Sequence, residues 1–173
     1  MKAQAILYTS NTGFTREYAL MLGQKTNLPV FSLQEASGKI ARDSSVVYLG
    51  WLMAGKVQGY SDAAKQYSVE AVCGVGMGST GSQMEDVRKS NNIPDSTPVF
   101  TLQGGFDMNK LRGVYKMMMQ VMKKTVGKKL AEKPDRTPDE EEMLNLLLHG
   151  GSRVSEANLA AVLEWMSQGE ESQ

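Results

Sequence analysis

Cysteine and histidine are almost missing from this chain of 173 residues, which holds one of each, Cys73 and His149. A single cysteine excludes an intramolecular disulfide framework and any cysteine-ligated metal cluster. A single histidine excludes a multi-histidine metal site and confines triad chemistry to His149. An excess of charge is missing too: 19 Lys+Arg balance 19 Asp+Glu, whereas a dedicated nucleic-acid binder carries a strong basic bias. No apolar run reaches the roughly 18 residues that a membrane span needs. The N-terminus enters a strand-like segment without a secretory apolar region, and neither a fixed-period repeat nor a low-complexity segment stands out. Hydrophobic residues make up 41% of the chain, ordinary globular usage. These limits lead to the expectation of one cytoplasmic domain with a real core.

What is present is an alternation of short apolar runs and helical patterns. Residues 3–8, 29–33, 45–50, 69–75 and 98–102 read as strands; the third, Ser-Ser-Val-Val-Tyr-Leu-Gly, has the nearly continuous apolar character of a strand buried on both faces. Residues 15–24 and 60–67 read as helices, and residues 111–126 as a long helix rich in methionine. Strands alternating with helices argue for βαβ units, hence an α/β three-layer sandwich around a five-stranded parallel sheet, with ligands at the carboxyl ends of the strands. The charged segment 131–142 reads as a connector. Within it Thr137-Pro138-Asp139-Glu140 makes a helix start, with Thr as cap, Pro at the first helical position and Glu facing back. That helix should stop at Gly150-Gly151, and a last one should cover about 155–167. The expected organisation is a domain over residues 1–130 and a helical extension over 131–173 packed on it.

Three glycine-bearing loops follow predicted strands. The first, Ser10, Asn11, Thr12, Gly13, Phe14 and Thr15, joins the first strand to the first helix. Backbone N–H groups at a helix N-terminus attract anions, and three hydroxyls add neutral donors. With no lysine, the loop suits a terminal monophosphate better than a magnesium triphosphate; the plain alternative is a polar turn with capping hydroxyls. The second, Gly50-Trp51-Leu52-Met53-Ala54-Gly55-Lys56-Val57, nearly spells a Walker A loop, but Val57 stands where a magnesium-binding hydroxyl is required. Its Trp51, Leu52 and Met53 suit packing against a flat apolar ring, or a plain core contact. The third, Gly76-Met77-Gly78-Ser79-Thr80-Gly81, is a literal G-x-G-x-x-G. It follows the fourth strand, whereas the dinucleotide fingerprint belongs to the first βα turn. A loop offering backbone N–H groups to a cofactor is the better reading.

A strand followed by S-x-T-G-x-T in a five-stranded α/β chain resembles the flavodoxin family over roughly the first 130 residues. The resemblance implies a flavodoxin-like fold and noncovalent FMN. Ser10, Thr12 and Thr15 would give hydroxyls to its phosphate, and Asn11, Gly13 and Phe14 their backbone N–H groups. Trp51, Leu52, Met53, Ala54 and Gly55 would flank the isoalloxazine, and Met77, Gly78 and Ser79 would reach its polar edge. Two features depart from the family pattern: the chain is neutral where flavodoxins are acidic, and no aromatic residue lies in Gly76–Gly81 to stack on the flavin. The run Gly104-Gly105-Phe106-Asp107-Met108-Asn109-Lys110-Leu111-Arg112, leading into the methionine-rich helix, is similar to the branch related to menaquinone-dependent protoporphyrinogen dehydrogenase.

In that helix Leu111, Val114, Tyr115, Met117, Met118, Met119, Val121, Met122, Thr125 and Val126 cover an arc of roughly 200°, about twice what docking on a sheet needs. The C-terminal helices are expected to cover the surplus; the alternative is a peripheral membrane or quinone-side surface flanked by lysines. Cys73 reads as an inert core thiol, His149 as a polar residue at a helix C-terminus, and Asp139 through Glu142 as a solvated first turn. No catalytic side chain and no metal site is expected. The function expected first is an FMN electron carrier serving an unidentified redox protein or quinone. A flavoenzyme of the quinone-linked kind and a flavin-free interaction domain are the alternatives.

Overall fold

The computed structural model describes residues 3–171. Five strands, β1 (Ala5–Thr9), β2 (Val30–Ser32), β3 (Ser45–Met53), β5 (Ser68–Gly76) and β6 (Val99–Gln103), form a parallel sheet in the order β2-β1-β3-β5-β6. A short strand β4 (Lys56–Val57) turns back antiparallel on the end of β3. Burial on both faces explains the unbroken apolar runs. Ile6, Val47, Leu49 and Cys73 lie on one side of the sheet, and Leu7, Val46, Tyr48 and Val72 on the other.

The first side is covered by helix α1 (Phe14–Thr26), through Tyr18, Ala19 and Leu22. On the second lie α2 (Leu33–Ala36), α3 (Tyr60–Ala64) and α4 (Met84–Asn91), through Ala36, Tyr60, Ala63 and Val87. The result is the expected flavodoxin-like sandwich, with the strand order reversing beside β1.

After β6 the chain runs through β7 (Gly105–Phe106) into the long helix α5 (Gly113–Glu132). It then turns into α6 (Pro138–His149), and β8 (Gly151–Ser152) pairs back on β7. A 3₁₀ turn at Glu156–Leu159 leads into α7 (Ala160–Glu171). Leu159 and Val162, both without exposed surface, pack into the α1 side of the sheet. The structure thus divides the expected extension, described to residue 171: α7 completes the sandwich, while α5 and α6 form a helical hairpin inserted between β6 and that closing helix. Only Gly127 of α5 is buried, and the hairpin has its own small core of Phe106, Leu111, Leu146 and Leu147. No helix among the described residues is long and apolar enough to cross a membrane.

The capping box at Thr137 forms as anticipated: its hydroxyl accepts from the Glu140 N–H at 3.2 Å, and the Glu140 carboxylate accepts from the Thr137 N–H at 2.9 Å. The structure differs from the sequence reading at several points, among them a third helix that ends at Ala64. β3 continues to Met53, so Trp51, Leu52 and Met53 are strand residues. α5 runs six residues beyond 126, into the charged connector. Helices α2 and α4 have no counterpart in the reading.

Candidate functional site

A cavity of about 470 Å³ opens at the carboxyl ends of the strands, and all three loops line it. From the first come Asn11, Thr12, Phe14 and Thr15; from the second, Trp51, Leu52, Met53, Ala54 and Gly55; from the third, Met77 and Gly78. Ser10, Gly13 and Ser79 do not line it. Ser10 and Gly13 shape the first loop, since the Gly13 N–H donates to Ser10 Oγ at 3.1 Å. Gly13 is the N-cap residue of α1 with φ 103°, a left-handed conformation that glycine adopts at little cost.

That geometry leaves donors unfilled. No side chain caps α1, and the N–H groups of Phe14, Thr15 and Arg16 have no acceptor among the described residues. The hydroxyls of Thr12 and Thr15 likewise bond to no other described residue, although Thr15 is 2% exposed. No buried side-chain polar atom among the described residues lacks a partner, so these hydroxyls open onto the cavity. Three amides at the positive end of a helix, with two hydroxyls beside them, present donors of the kind that helix N-termini offer to anions. A tight turn with self-capping hydroxyls would have used them internally, as Ser10 does.

The second loop is a two-residue hairpin with Ala54 at φ 48° and Gly55 at φ 76°, the mirror-image turn that fits strand twist. Asn91 of α4 fixes it. Its side-chain N–H₂ donates to the Gly55 carbonyl at 2.8 Å and its oxygen accepts the Val57 N–H at 2.9 Å, while Lys56 Nζ donates to the Ser90 carbonyl. A Walker A loop wraps a phosphate at the start of a helix; this segment is a β-hairpin with its lysine tied down, so the triphosphate resemblance ends at the letters. Leu52 lies over Gly74 and Gly76, where any Cβ would meet its side chain.

The third loop is stitched to β6. Gln103 Nε2 donates to the Met77 carbonyl at 3.2 Å, the Gln103 N–H to Thr80 Oγ1 at 3.0 Å, and Thr101 Oγ1 to the Ser82 carbonyl at 2.6 Å. Ser79 points away from the cavity and donates to Asp139 of α6 at 2.5 Å.

The sequence reading did not place the roof. Phe106 and Leu111, then Tyr115, Met118, Met119 and Met122 of α5 and Met143 of α6, also line the cavity and partly cover it. Tyr115 meets Trp51 edge to face, with ring centroids 5.2 Å apart. Lys110 Nζ lies 5.6 Å over the Phe14 ring and 3.7 Å from Asp107 Oδ2. The signal for this roof was the apolar arc of the methionine-rich helix, too wide for one partner.

Elsewhere, burial pushes the Cys73 thiol up to about 12, which leaves it an inert core thiol. Burial also raises the Tyr18 phenol, which donates to the Gln103 carbonyl at 2.5 Å and accepts from Asn158 Nδ2 at 2.6 Å. His149 is exposed at the end of α6. Among the described residues no group of acidic, histidine and cysteine side chains could hold a metal ion.

No family model, curated protein or solved structure matches this chain. The reading of the site therefore rests on its own geometry.

Proposed function

We propose that the chain binds FMN noncovalently in this cavity and acts as a redox protein. The observation that carries the reading is the unfilled cradle of Phe14, Thr15 and Arg16 amides and Thr12 and Thr15 hydroxyls, set at one end of a cavity otherwise lined mostly by apolar side chains. A dianionic monophosphate fits the cradle, and about 470 Å³ lies within the range of small-molecule sites. The residues fit the group. Thr12, Thr15 and the α1 amides would hold the phosphate; Trp51 through Gly55 and Met77 with Gly78 would border the ring system.

When bound, the flavin would supply one- and two-electron chemistry. The chain would position the ring, exclude water with its methionine roof, and set local polarity through the backbone of the third loop. No side chain in the cavity is assigned as an acid or base. Electron carrier is the first reading. The roof favours a second, an oxidoreductase that admits a small apolar substrate to the ring, because a pure carrier gains nothing from covering it.

The test is the visible spectrum of the protein after incubation with FMN and desalting. The parent should retain a flavin spectrum. Thr12→Asp should lose it, because a carboxylate in the cradle repels phosphate and displaces its donors, costing about a hundredfold or more in affinity. Colourless parent protein would sink the redox reading and leave an interaction domain.

A further inference from the structure

Helix α5 covers the cavity with one side and leaves another bare. Tyr115, Met119, Met122 and Leu130 pack against the hairpin core, whereas Val114, Met117, Met118 and Val121 are 60%, 63%, 48% and 56% exposed. At about 100° per residue these four share an arc of roughly 100° over about two turns. The expectation that the C-terminal helices cover the surplus apolar arc thus holds for only part of it: α6 takes one flank, and α7 goes to the sheet instead.

Charge is segregated onto the same helix. The chain as a whole is neutral, yet α5 carries Lys116, Lys123, Lys124, Lys128 and Lys129 against one acid, Glu132. Among the described residues only Lys128 of these pairs with an acid, Glu132, at 3.8 Å. The acids at the start of α6 are engaged elsewhere: Glu140 with Lys133, Glu141 with Arg136, Glu142 with Arg153, and Asp139 with Ser79. Lys124 and Lys128 fall on the side of the bare apolar cluster, one to two turns further along the helix.

We propose that this face of α5 docks on an anionic lipid bilayer. An apolar face with lysines along its border lies at the headgroup boundary, its apolar side chains below and its cations against acidic headgroups. A second copy of the chain fits worse, because a symmetric pairing through this face would set one lysine-rich helix against another. Met118 belongs to both the bare face and the cavity lining, so docking turns the cavity toward the lipid. The inference stands apart from the flavin reading.

The experiment is co-sedimentation of the full chain with vesicles of phosphatidylcholine holding about a third phosphatidylserine, and with phosphatidylcholine alone. The expected result is binding to the anionic vesicles, weakened at high salt and at least about tenfold weaker on the neutral ones. Two double variants, Met117→Glu with Val121→Glu and Lys124→Glu with Lys128→Glu, should each lower binding at least about tenfold with unchanged thermal melting. None of these four residues lines the cavity. Failure of the parent to sediment with anionic vesicles overturns the proposal, as does sedimentation that both variants leave unchanged. Lipid-free dimerisation that the first variant abolishes would also overturn it, by assigning the face to a second copy. Protein that sediments but retains no FMN supports this inference while removing the flavin reading.

Discussion

Thr15 separates a ligand site from a mere turn. Its side chain is almost enclosed, and its hydroxyl opens onto the cavity, since no buried side-chain polar atom among the described residues lacks a partner. If the hydroxyl were structural, removing it would destabilise the fold. If it awaits a phosphate, Thr15→Val should leave the ligand-free protein about as stable as the parent, since the hydroxyl faces the cavity and holds no partner in the fold. The same change should weaken FMN by about tenfold to a hundredfold, the usual worth of a hydrogen bond to a charged group. Urea unfolding and flavin-fluorescence titration measure the two quantities, and a variant that loses stability while keeping its affinity would assign Thr15 to the fold alone. The pattern Ser10 to Thr15 led to the expectation of an anion loop. It could not divide the labour within it, because Ser10 and Thr12 are the same kind of donor until the backbone turns one inward.

Elements show where sequence patterns end. The central strands were legible because burial on both faces leaves Ala5–Leu7 and Val46–Gly50 as unbroken runs, and the Thr137 helix start because capping is local chemistry. Helix α4 was not: its apolar face is only Met84 and Val87, of which Val87 alone is buried, too short a stretch to read as a period. Yet α4 positions the site, since Asn91 holds both sides of the β3–β4 turn and also donates to the Val87 carbonyl at 2.7 Å. Asn91→Ala leaves the Val57 N–H and the Gly55 carbonyl without these partners. It should cost about 2–3 kcal/mol, the sum of two or three ordinary hydrogen bonds, and loosen Trp51 through Gly55 enough to weaken the ligand. Asn91→Asp keeps the acceptor for Val57 and loses the donor to Gly55, so it should fall between. Denaturant midpoints ranked parent, Asp, Ala would bear this out; an Ala variant equal to the parent would mean that the hairpin stands without α4.

Across the whole molecule, the surprise is an exchange of roles between two amphipathic helices. An apolar arc states that a helix needs a partner but not which surface supplies it, so the sequence led to α5 on the sheet and the C-terminal pair outside. The structure sends α7 to the sheet and lifts α5 with α6 over the cavity. A hairpin with four buried residues in its core, closed at its base by the two-residue ladder of β7 and β8 and tied to the sandwich by contacts such as Tyr115 on Trp51 and Ser79 with Asp139, should open at a fraction of the free energy of global unfolding. The sole cysteine makes this measurable. Cys73 lies in the second strand from one edge of the sheet, fully buried, with a thiol pushed up to about 12, and only an exposed thiolate reacts readily. Its labelling near neutral pH therefore reports opening of β5. Trypsin, acting at Lys124, Lys128 and Lys129, reports opening of the hairpin. The tryptic cuts should come sooner and depend weakly on urea, because little surface is exposed, while Cys73 labelling should rise steeply with urea in proportion to the surface that global unfolding exposes. Bound FMN should slow the tryptic cuts, since the roof closes the same cavity. Equal urea dependence for the two reactions would show that sandwich and hairpin unfold as one cooperative unit, and the roof would then be a fixed wall of the site.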